Sequence, residues 1–582
     1  MIGKLKQGFS KTISWIKNQY AHLELIPRLI ELFPRRDADG HLLHEPYSVS
    51  CLGKDCLSGI IVGIVALPLA MGFSIASGAT PAQGLYTAIV AGFCISAFGG
   101  SRFQIGGPTG AFVVIITGII ARHGMAGLIS ATVIAGITLI LMGLFGLGKF
   151  IKFIPYPVTT GFTTGIGILI FSQQIKDFFG LDIKDSAPEF IEKWIQFFKA
   201  ANTIDLRTLC VGLCTLLIII FVRKFYPRLP SAVIGVLVCT LIAHLLQLPI
   251  ETIGSRFGGI PATLPVPVFP EITPRIITSV FPDAITIAML AAIESLLSAV
   301  VADGMTGDRH NSNTELIAQG VGNIASGIFG GIPATGAIAR TATNIKSGAT
   351  SPVSGIIHAV VLVLFILFLG PLTSAIPLAT LSAVLITVAW DMSNLSRFFH
   401  IIRTAPMSDT TVLITTAVLT ILFDLTFAVE VGVVMAVFLF LRRMIETGCI
   451  KAENNEIIAK LAYGDIDKRT EDSIRALAKN DIDIFEITGP FFFGVSDMLQ
   501  VVLQGLPKTP KKIILRMRDV PAIDSTGITA LESFLINCRK RKIKLVFCEM
   551  QQRPFKMLEK SGYIADIGIE NICESLEDAV NI

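Results

Sequence analysis

Glu294 and Arg340 are the residues whose surroundings most demand a chemical reason. Glu294 is the sole charged residue in the stretch 284–302, AITIAMLAAIESLLSAVVA. Arg340 lies in GGIPATGAIARTATN, residues 330–344, inside a long hydrophobic region. An ionisable side chain at the depth of a bilayer is costly and is by default a functional hypothesis. A proton is the smallest ligand that neutralises a carboxylate there, so Glu294 is the candidate proton-coupling site. A fixed guanidinium in the same medium is a candidate anion holder. The competing roles are structural: an ion pair between Glu294 and Arg340, or an anchor from Arg340 to a backbone carbonyl.

The segment around Arg340 is not built as an ordinary transmembrane helix. Two glycines and Pro333 interrupt it, and a short helix can start near Thr335. The first amides of such a helix have no intrahelical partners and carry partial positive charge, so they can bind an anion. Broken backbone at membrane depth is tolerated only where protein or a wet cavity encloses it. Residues 106–114, GGPTGAFVV, repeat the design, with Thr109-Gly110-Ala111 matching Thr335-Gly336-Ala337 at an offset of 226 residues. Paired Gly/Pro-interrupted segments in corresponding halves of a chain point to a transporter binding site. Glycine-rich helix packing is the alternative. In the first reading Thr109, Gly110, Ala111, Thr335, Gly336, Ala337 and Arg340 face an anion. The same offset places Pro68 opposite Glu294.

Composition fixes the medium. The chain has 582 residues, is 52% hydrophobic and only 16% charged, where soluble domains carry about 25% charge. It is an integral membrane protein. No basic stripe suggests nucleic acid. The ten cysteines are scattered; the close pairs Cys51/Cys56 and Cys210/Cys214 have no second pair or histidine cluster to make a metal site. No cofactor, metal or catalytic constellation is expected, and the chain does not read as an enzyme.

Some fourteen hydrophobic segments run from about Leu57 to Leu441, centred near Val65, Ala91, Ile116, Leu139, Ile168, Ile218, Val238, Ala292, Val321, Ala339, Leu362, Val384, Thr416 and Val434. Before them, residues 1–50 form an N-terminal segment in which Ile13, Trp15, Tyr20 and Leu25 suggest an interfacial helix. Basic residues follow even-numbered segments: Lys149 and Lys152, Arg223 with Lys224 and Arg228, Arg397 and Arg403, Arg442 and Arg443. That pattern predicts both termini on the cytoplasmic side of the cell membrane. Seven segments per half, an odd number, force two matched halves to be inverted relative to each other. Asp391, Asp424 and Glu430 are expected at segment ends, and Asp303, Asp308, Arg309 and His310 in a polar cytoplasmic loop with a solvated histidine.

After Arg443 the composition becomes that of a soluble domain, giving a transmembrane part over 51–446 and a tail over 447–582. Residues 482–493 and 512–517 read as strands, the second apolar enough to be buried on both faces. A helix is expected over 526–537, a strand over 543–548 and another helix from about Pro554. Alternating strands and helices make a small α/β domain.

With these residues in view the chain resembles the SulP (sulfate permease) family of anion transporters over nearly its whole length. The resemblance rests on PLAMGFSIASGATPAQGLY (68–86), GGSRFQIGGPTG (99–110), ESLLSAVVADGMTGDR (294–309) and residues 323–344. The tail resembles a STAS domain, with Asp524-Ser525-Thr526-Gly527 at its characteristic loop. AIESLL, VADGMTG and AIARTATN are most similar to bacterial members that carry dicarboxylates and sulfate. The resemblance implies a polytopic α-helical fold of seven plus seven inverted repeats, a core domain moving against a gate domain, and a homodimer. It implies a substrate contact from Phe73. It also implies that Glu294 and Ser298 stand where sodium-coupled bicarbonate members have an Asp and a Thr, with a further Thr in place of Ile338. The lost hydroxyl favours a proton over sodium as coupling ion. Ser525 stands where soluble STAS relatives accept phosphate; the alternative is that Asp524 or Ser525 caps the helix that follows. The expected activity is secondary active, proton-coupled transport of a small anion, a C4-dicarboxylate such as fumarate or succinate, or sulfate. The alternatives are a bicarbonate or chloride exchanger, an uncoupled anion channel, and a membrane sensor with the STAS domain as output.

Overall fold

The structure is a computed structural model; it describes residues 27–32, 47–149, 155–183, 189–226, 229–269, 273–423, 425–447, 449–452, 482–492, 499 and 510–582. The expected N-terminal interfacial helix, and Lys152, Arg228, Asp424 and Phe493, lie outside them. The chain divides into two compact units, Met1–Val434 and Met435–Ile582.

The helices and strands in chain order are α1 (Val49–Ala76), α2 (Pro81–Phe98), β1 (Gly106–Gly107), α3 (Phe112–Leu144), α4 (Tyr156–Phe179), α5 (Phe190–Lys199), α6 (Leu206–Phe225), α7 (Ser231–Leu245), α8 (Ile253–Phe257), α9 (Pro274–Thr306), α10 (Ser312–Ile328), β2 (Thr335–Gly336), α11 (Ile338–Lys346), α12 (Val353–Leu369), α13 (Leu378–Ser393), α14 (Leu395–Thr404), α15 (Met407–Leu422) and α16 (Leu425–Thr447). Each of the fourteen expected segment centres falls inside one of these helices. Among the described residues, seven helices are long and apolar enough to cross a membrane. Local sequence sets the ends. Thr80 and Gln83 form a capping box at the start of α2, with Pro81 in its first turn. Thr273 caps α9 ahead of Pro274. The third and fourth expected segments form one element, α3, broken at Gly124 (φ 66°, ψ −175°), where the helix cannot continue.

The helices pack in two groups. In one, α3 packs on α9 and α10, α2 on α10 and α12, α1 on α2 and α12, and α9 on α11. In the other, α4 packs on α13 and α15, and α6 on α7 and α13. Glycines set the closeness of the first group. A methyl on Gly136 of α3 would lie 2.6 Å from the Gly320 carbonyl of α10, and one on Gly320 would lie 2.5 Å from the Gly136 carbonyl. Lipid gives helices no hydrophobic reason to associate, so small residues that let backbones touch supply the packing. Part of the glycine richness is therefore structural.

The second unit carries a five-stranded sheet in the order β3 (Cys449–Ala452), β4 (Ile482–Thr488), β5 (Lys512–Asp519), β6 (Lys544–Cys548), β7 (Ile572–Cys573). The β3–β4 pair is antiparallel and the other pairs are parallel. Among the described residues four helices accompany it: α17 (Ser525–Lys540), α18 (Gln552–Ser561), α19 (Tyr563–Ile567) and α20 (Leu576–Asn581). Ile513, Leu515 and Met517 enter one apolar cluster and Ile514 another, so β5 is buried on both faces. The strand expected over 482–493 ends at Thr488, because Gly489 turns the chain (φ 86°) and Pro490 follows. The edge strand β3 was not expected from its sequence, CIKA, which is too short to show alternation.

Candidate anion site

Two broken segments meet. β1 and β2 pair antiparallel, with Gly106 opposite Gly336 and Gly107 opposite Thr335. Each two-residue strand leads within a few residues into a helix, α3 or α11. The N-termini of both helices therefore start from one place, and their partial positive charges, roughly half an elementary charge each, add there. Helix α11 begins at Ile338, with Ala337 as its uncapped N-cap. This is three residues later than the start expected near Thr335. The delay changes which amides are open. The Ala337 N–H donates to the Ile105 carbonyl (2.9 Å), and Gly336 is held in the β1–β2 pair. The Ile338, Ala339 and Arg340 N–H groups precede the first intrahelical bond, from Thr341 N–H to the Ala337 carbonyl (2.9 Å). On the α3 side, Phe112 and Val113 N–H turn back to the Thr109 and Gly110 carbonyls (3.3 and 3.1 Å), leaving those of Gly110 and Ala111 for a ligand.

Arg340 is 2% exposed. Its guanidinium donates to the carbonyls of Gly106 (3.5 Å) and Pro108, across the junction of the two halves. Gly107 makes room for it: the residue has φ 146°, and a methyl there would lie 2.5 Å from Nη1. The anchoring role is thus present, and it places the charge beneath the junction. Glu294, on α9, is half-buried and accepts a hydrogen bond from the Thr109 hydroxyl at 2.7 Å. Its hydrogen bond comes from a hydroxyl, while those of Arg340 go to carbonyls.

Phe73 is buried in α1 and reaches the same place: a methyl on Gly110 would lie 3.1 Å from Phe73 Cε1. It would also lie 2.5 Å from Ile170 of α4 and 3.1 Å from Met392 Sδ of α13. Those last two belong to the second helix group, so the site lies where the groups face each other. Sequence reasoning missed both, since an isoleucine and a methionine in apolar helices carry no signal.

Other expected residues serve as supports. The Thr335 hydroxyl donates to the Ala291 carbonyl of α9 (3.0 Å). Ser298 is fully buried and its hydroxyl lies 3.3 Å from that of Thr341 on α11. Ile338 is half-buried at the helix start, and its side chain has no oxygen to offer a cation. His310 differs from its expected solvated state. Its side chain is 1% exposed, 2.7 Å from Asp303 Oδ2 through Nδ1 and 3.0 Å from Ser312 Oγ through Nε2.

A ring of amides and acids behind the junction also went unread. Gln104 Nε2 donates to the Ser295 carbonyl (3.0 Å) and packs where a side chain on Gly336 would go. Asn323 brackets the Ala334 backbone, donating to its carbonyl (2.8 Å) and accepting from its N–H (2.9 Å). Glu315 accepts from Gly100 N–H (3.0 Å) and Gln319 Nε2 (2.9 Å). The readable signal was amide side chains in otherwise apolar helices, which must spend their donors internally. In the second unit Asp524 caps α17 by accepting from Gly527 N–H (2.7 Å), which leaves Ser525 exposed in the first turn. Among the described residues no group of three His, Cys, Asp or Glu is placed to hold a metal.

The arrangement brings together amides from two helix ends, a buried cation and a carboxylate, a chemistry suited to an anion. Comparison with known proteins gives the family. Residues 52–416 match the sulfate permease family and 473–579 the STAS domain. The chain is 42% identical over 525 residues to "Putative sulfate transporter YvdB" of Bacillus subtilis, covering 90% of this chain and 96% of that one. It is 31% identical over 540 residues to "Bicarbonate transporter BicA" of Picosynechococcus, covering 90% and 94%. The solved transmembrane domain of a cyanobacterial BicA superposes with a TM-score of 0.59 at 32% identity, over 67% of this chain and 98% of that one. The inward-facing murine Slc26a9 anion transporter shares the fold, with a TM-score of 0.78 at 18% identity over 92% of each chain. The relatives are transporters and not enzymes, and this chain belongs to the sulfate permease family of membrane anion transporters, with a STAS domain at its C-terminal end.

Proposed function

We propose that the protein is a proton-coupled secondary transporter of a C4-dicarboxylate, such as fumarate or succinate, or of sulfate, working by alternating access. The observation that carries the reading is the Thr109–Glu294 hydrogen bond at the meeting point of the two helix N-termini. It sets a protonatable group against the element that faces the anion, so that occupancy of one bears on the other. Arg340 supplies a full charge besides the two helix ends, which suits a divalent or extended anion. The apolar side chain of Ile338 at the start of α11 favours a proton over sodium. Phe73 lies against the Gly110 end of the cradle and would contact the bound anion.

The machinery spans 51–446 and the STAS domain 447–582. Both termini face the cytoplasm of a cell-membrane protein that works as a homodimer. Ser525, exposed at the start of α17, would be the regulatory acceptor position. The 31% identity to bicarbonate transporters sustains a second reading, bicarbonate transport or exchange on the same cradle.

The deciding experiment is uptake of labelled fumarate, succinate, sulfate and bicarbonate into proteoliposomes, with and without an inward proton gradient. Accumulation of one divalent anion only with the gradient supports the reading. Flux that ignores the gradient removes the proton role and leaves an exchanger or channel.

A further inference from the structure

Between α13 and α15 the chain forms α14, entered through Asn394 in the left-handed region (φ 40°). Its sequence, LSRFFHIIRT, spaces Arg397, His400 and Arg403 three residues apart, on one side of the helix. Ile401 is buried on the other side and Phe398 and Ile402 are half-buried. The three basic residues, with Asn394, Ser396 and Phe399, line a surface cavity of about 570 Å³.

Two features set this cavity apart from an ordinary solvated basic face. First, its charges are unspent. Among the described residues neither Arg397, His400 nor Arg403 has an acidic partner. Arg397 instead lies over the Tyr156 ring, 5.2 Å from its centroid. Of the carboxylates flanking the helix in sequence, Asp391 is paired with Arg223 at 2.9 Å, and Asp409 accepts from the Ser408 hydroxyl at 3.2 Å. Second, the cavity sits among exposed aromatic residues. Tyr156, Trp390 and Phe399 all show large exposed surfaces beside it in sequence or space. Such residues collect at the headgroup level of a bilayer. Helix α14 joins the end of α13 to the start of α15, and its mix of basic and aromatic residues on one short helix is that of an interfacial segment.

We infer that the Arg397–His400–Arg403 face of α14 binds the phosphate of an anionic glycerophospholipid in the adjoining leaflet. Arginine presents a planar fork that matches phosphate oxygens, and basic charge is attracted to an anionic membrane surface. The exposed Phe399, which lines the cavity, gives the glycerol and upper acyl region an apolar wall. A free phosphate would leave that wall unused, so the lipid is the occupant. The charge pattern that puts basic loops inside assigns this face to the cytoplasmic leaflet, where anionic lipid is abundant.

The test uses the full chain in phosphatidylcholine nanodiscs with and without phosphatidylglycerol, counting retained lipid by native mass spectrometry. The wild type is expected to retain phosphatidylglycerol, and the Arg397→Gln/Arg403→Gln double variant to retain it at least ~5-fold less. The Arg397→Lys/Arg403→Lys variant keeps the charge but loses the fork and should retain an intermediate amount of the lipid, above that of the Gln variant, which controls for folding. In phosphatidylcholine alone all three should unfold at the same temperature. Equal phosphatidylglycerol retention by the Gln variant overturns the proposal. So does release of the lipid from the wild type by millimolar inorganic phosphate, which would mark a soluble-anion site.

Discussion

The hydroxyl of Thr109 donates to Glu294 across 2.7 Å, although 185 residues separate them in sequence. The bond joins the last turn before α3 to the middle of α9, and so joins an open helix end to the one acid in its helix core. It makes two variants informative together. Glu294→Gln preserves size and hydrogen bonding and removes the titration. Exchange of labelled anion at equal concentrations should persist, while gradient-driven accumulation should fall to the equilibrium level. Accumulation equal to the wild type would remove Glu294 from coupling. Thr109→Val removes the hydroxyl alone, and its expected cost of about 1–3 kcal/mol should appear as a displaced pH profile with flux retained.

Arg340 makes a sharper case for shape. A lysine keeps the charge and loses the fork that spans the Gly106 and Pro108 carbonyls. Arg340→Lys should raise the apparent KM about tenfold or more, equivalent to about 1.4 kcal/mol. Gly107→Ala should reproduce the defect without touching the charge, because the added methyl meets Nη1 and the φ of 146° strains any side chain. A Gly107→Ala protein with normal KM would show that the position of Arg340 does not matter.

Ile338 tests the coupling ion. Placing a hydroxyl there, as Ile338→Thr, sets an oxygen at the start of α11 on the segment whose Thr341 contacts Ser298. Uptake by the wild type should be indifferent to replacing sodium with choline. The variant should acquire a sodium dependence, seen as a lower KM for the anion in sodium. A wild type that already requires sodium would reverse the proposed coupling.

In the second unit the cap of α17 separates two adjacent residues. Asp524→Ala removes the acceptor for Gly527 N–H and should cost about 1 kcal/mol. Hydrogen exchange across 525–540 in the whole protein should quicken accordingly. Ser525→Ala should leave exchange unchanged, since the exposed hydroxyl takes no part in the cap. Equal effects from both would mean that the cap is shared.

Much of this is legible in the amino-acid sequence alone. All fourteen segment centres lie in helices because long apolar runs have few other solutions in a membrane. The two TGA segments were found because glycine and proline at that depth are conspicuous. Sequence could not say that the halves clasp through Gly106 and Gly336, a pairing of two residues with no alternation to read. It also could not separate Thr335, whose hydroxyl is spent on Ala291, from Thr109, whose hydroxyl reaches Glu294. The triplets are identical and only their neighbours differ. The burial of His310 was missed for a related reason: a loop histidine looks solvated until its partners Asp303 and Ser312 close around it.

The clasp of β1 and β2 also governs when the site exists during synthesis. Arg340 lies 232 residues beyond the Pro108 carbonyl it holds. A ribosome adding about 5–20 residues per second needs at least ten seconds to travel that distance. Through that interval the first half waits in the bilayer with its bare helix end and no charge behind it. The proposed anion cradle is therefore completed late, by insertion of the second half, and a chain cut short before α11 would carry the first broken helix without the Arg340 guanidinium that holds the Pro108 carbonyl.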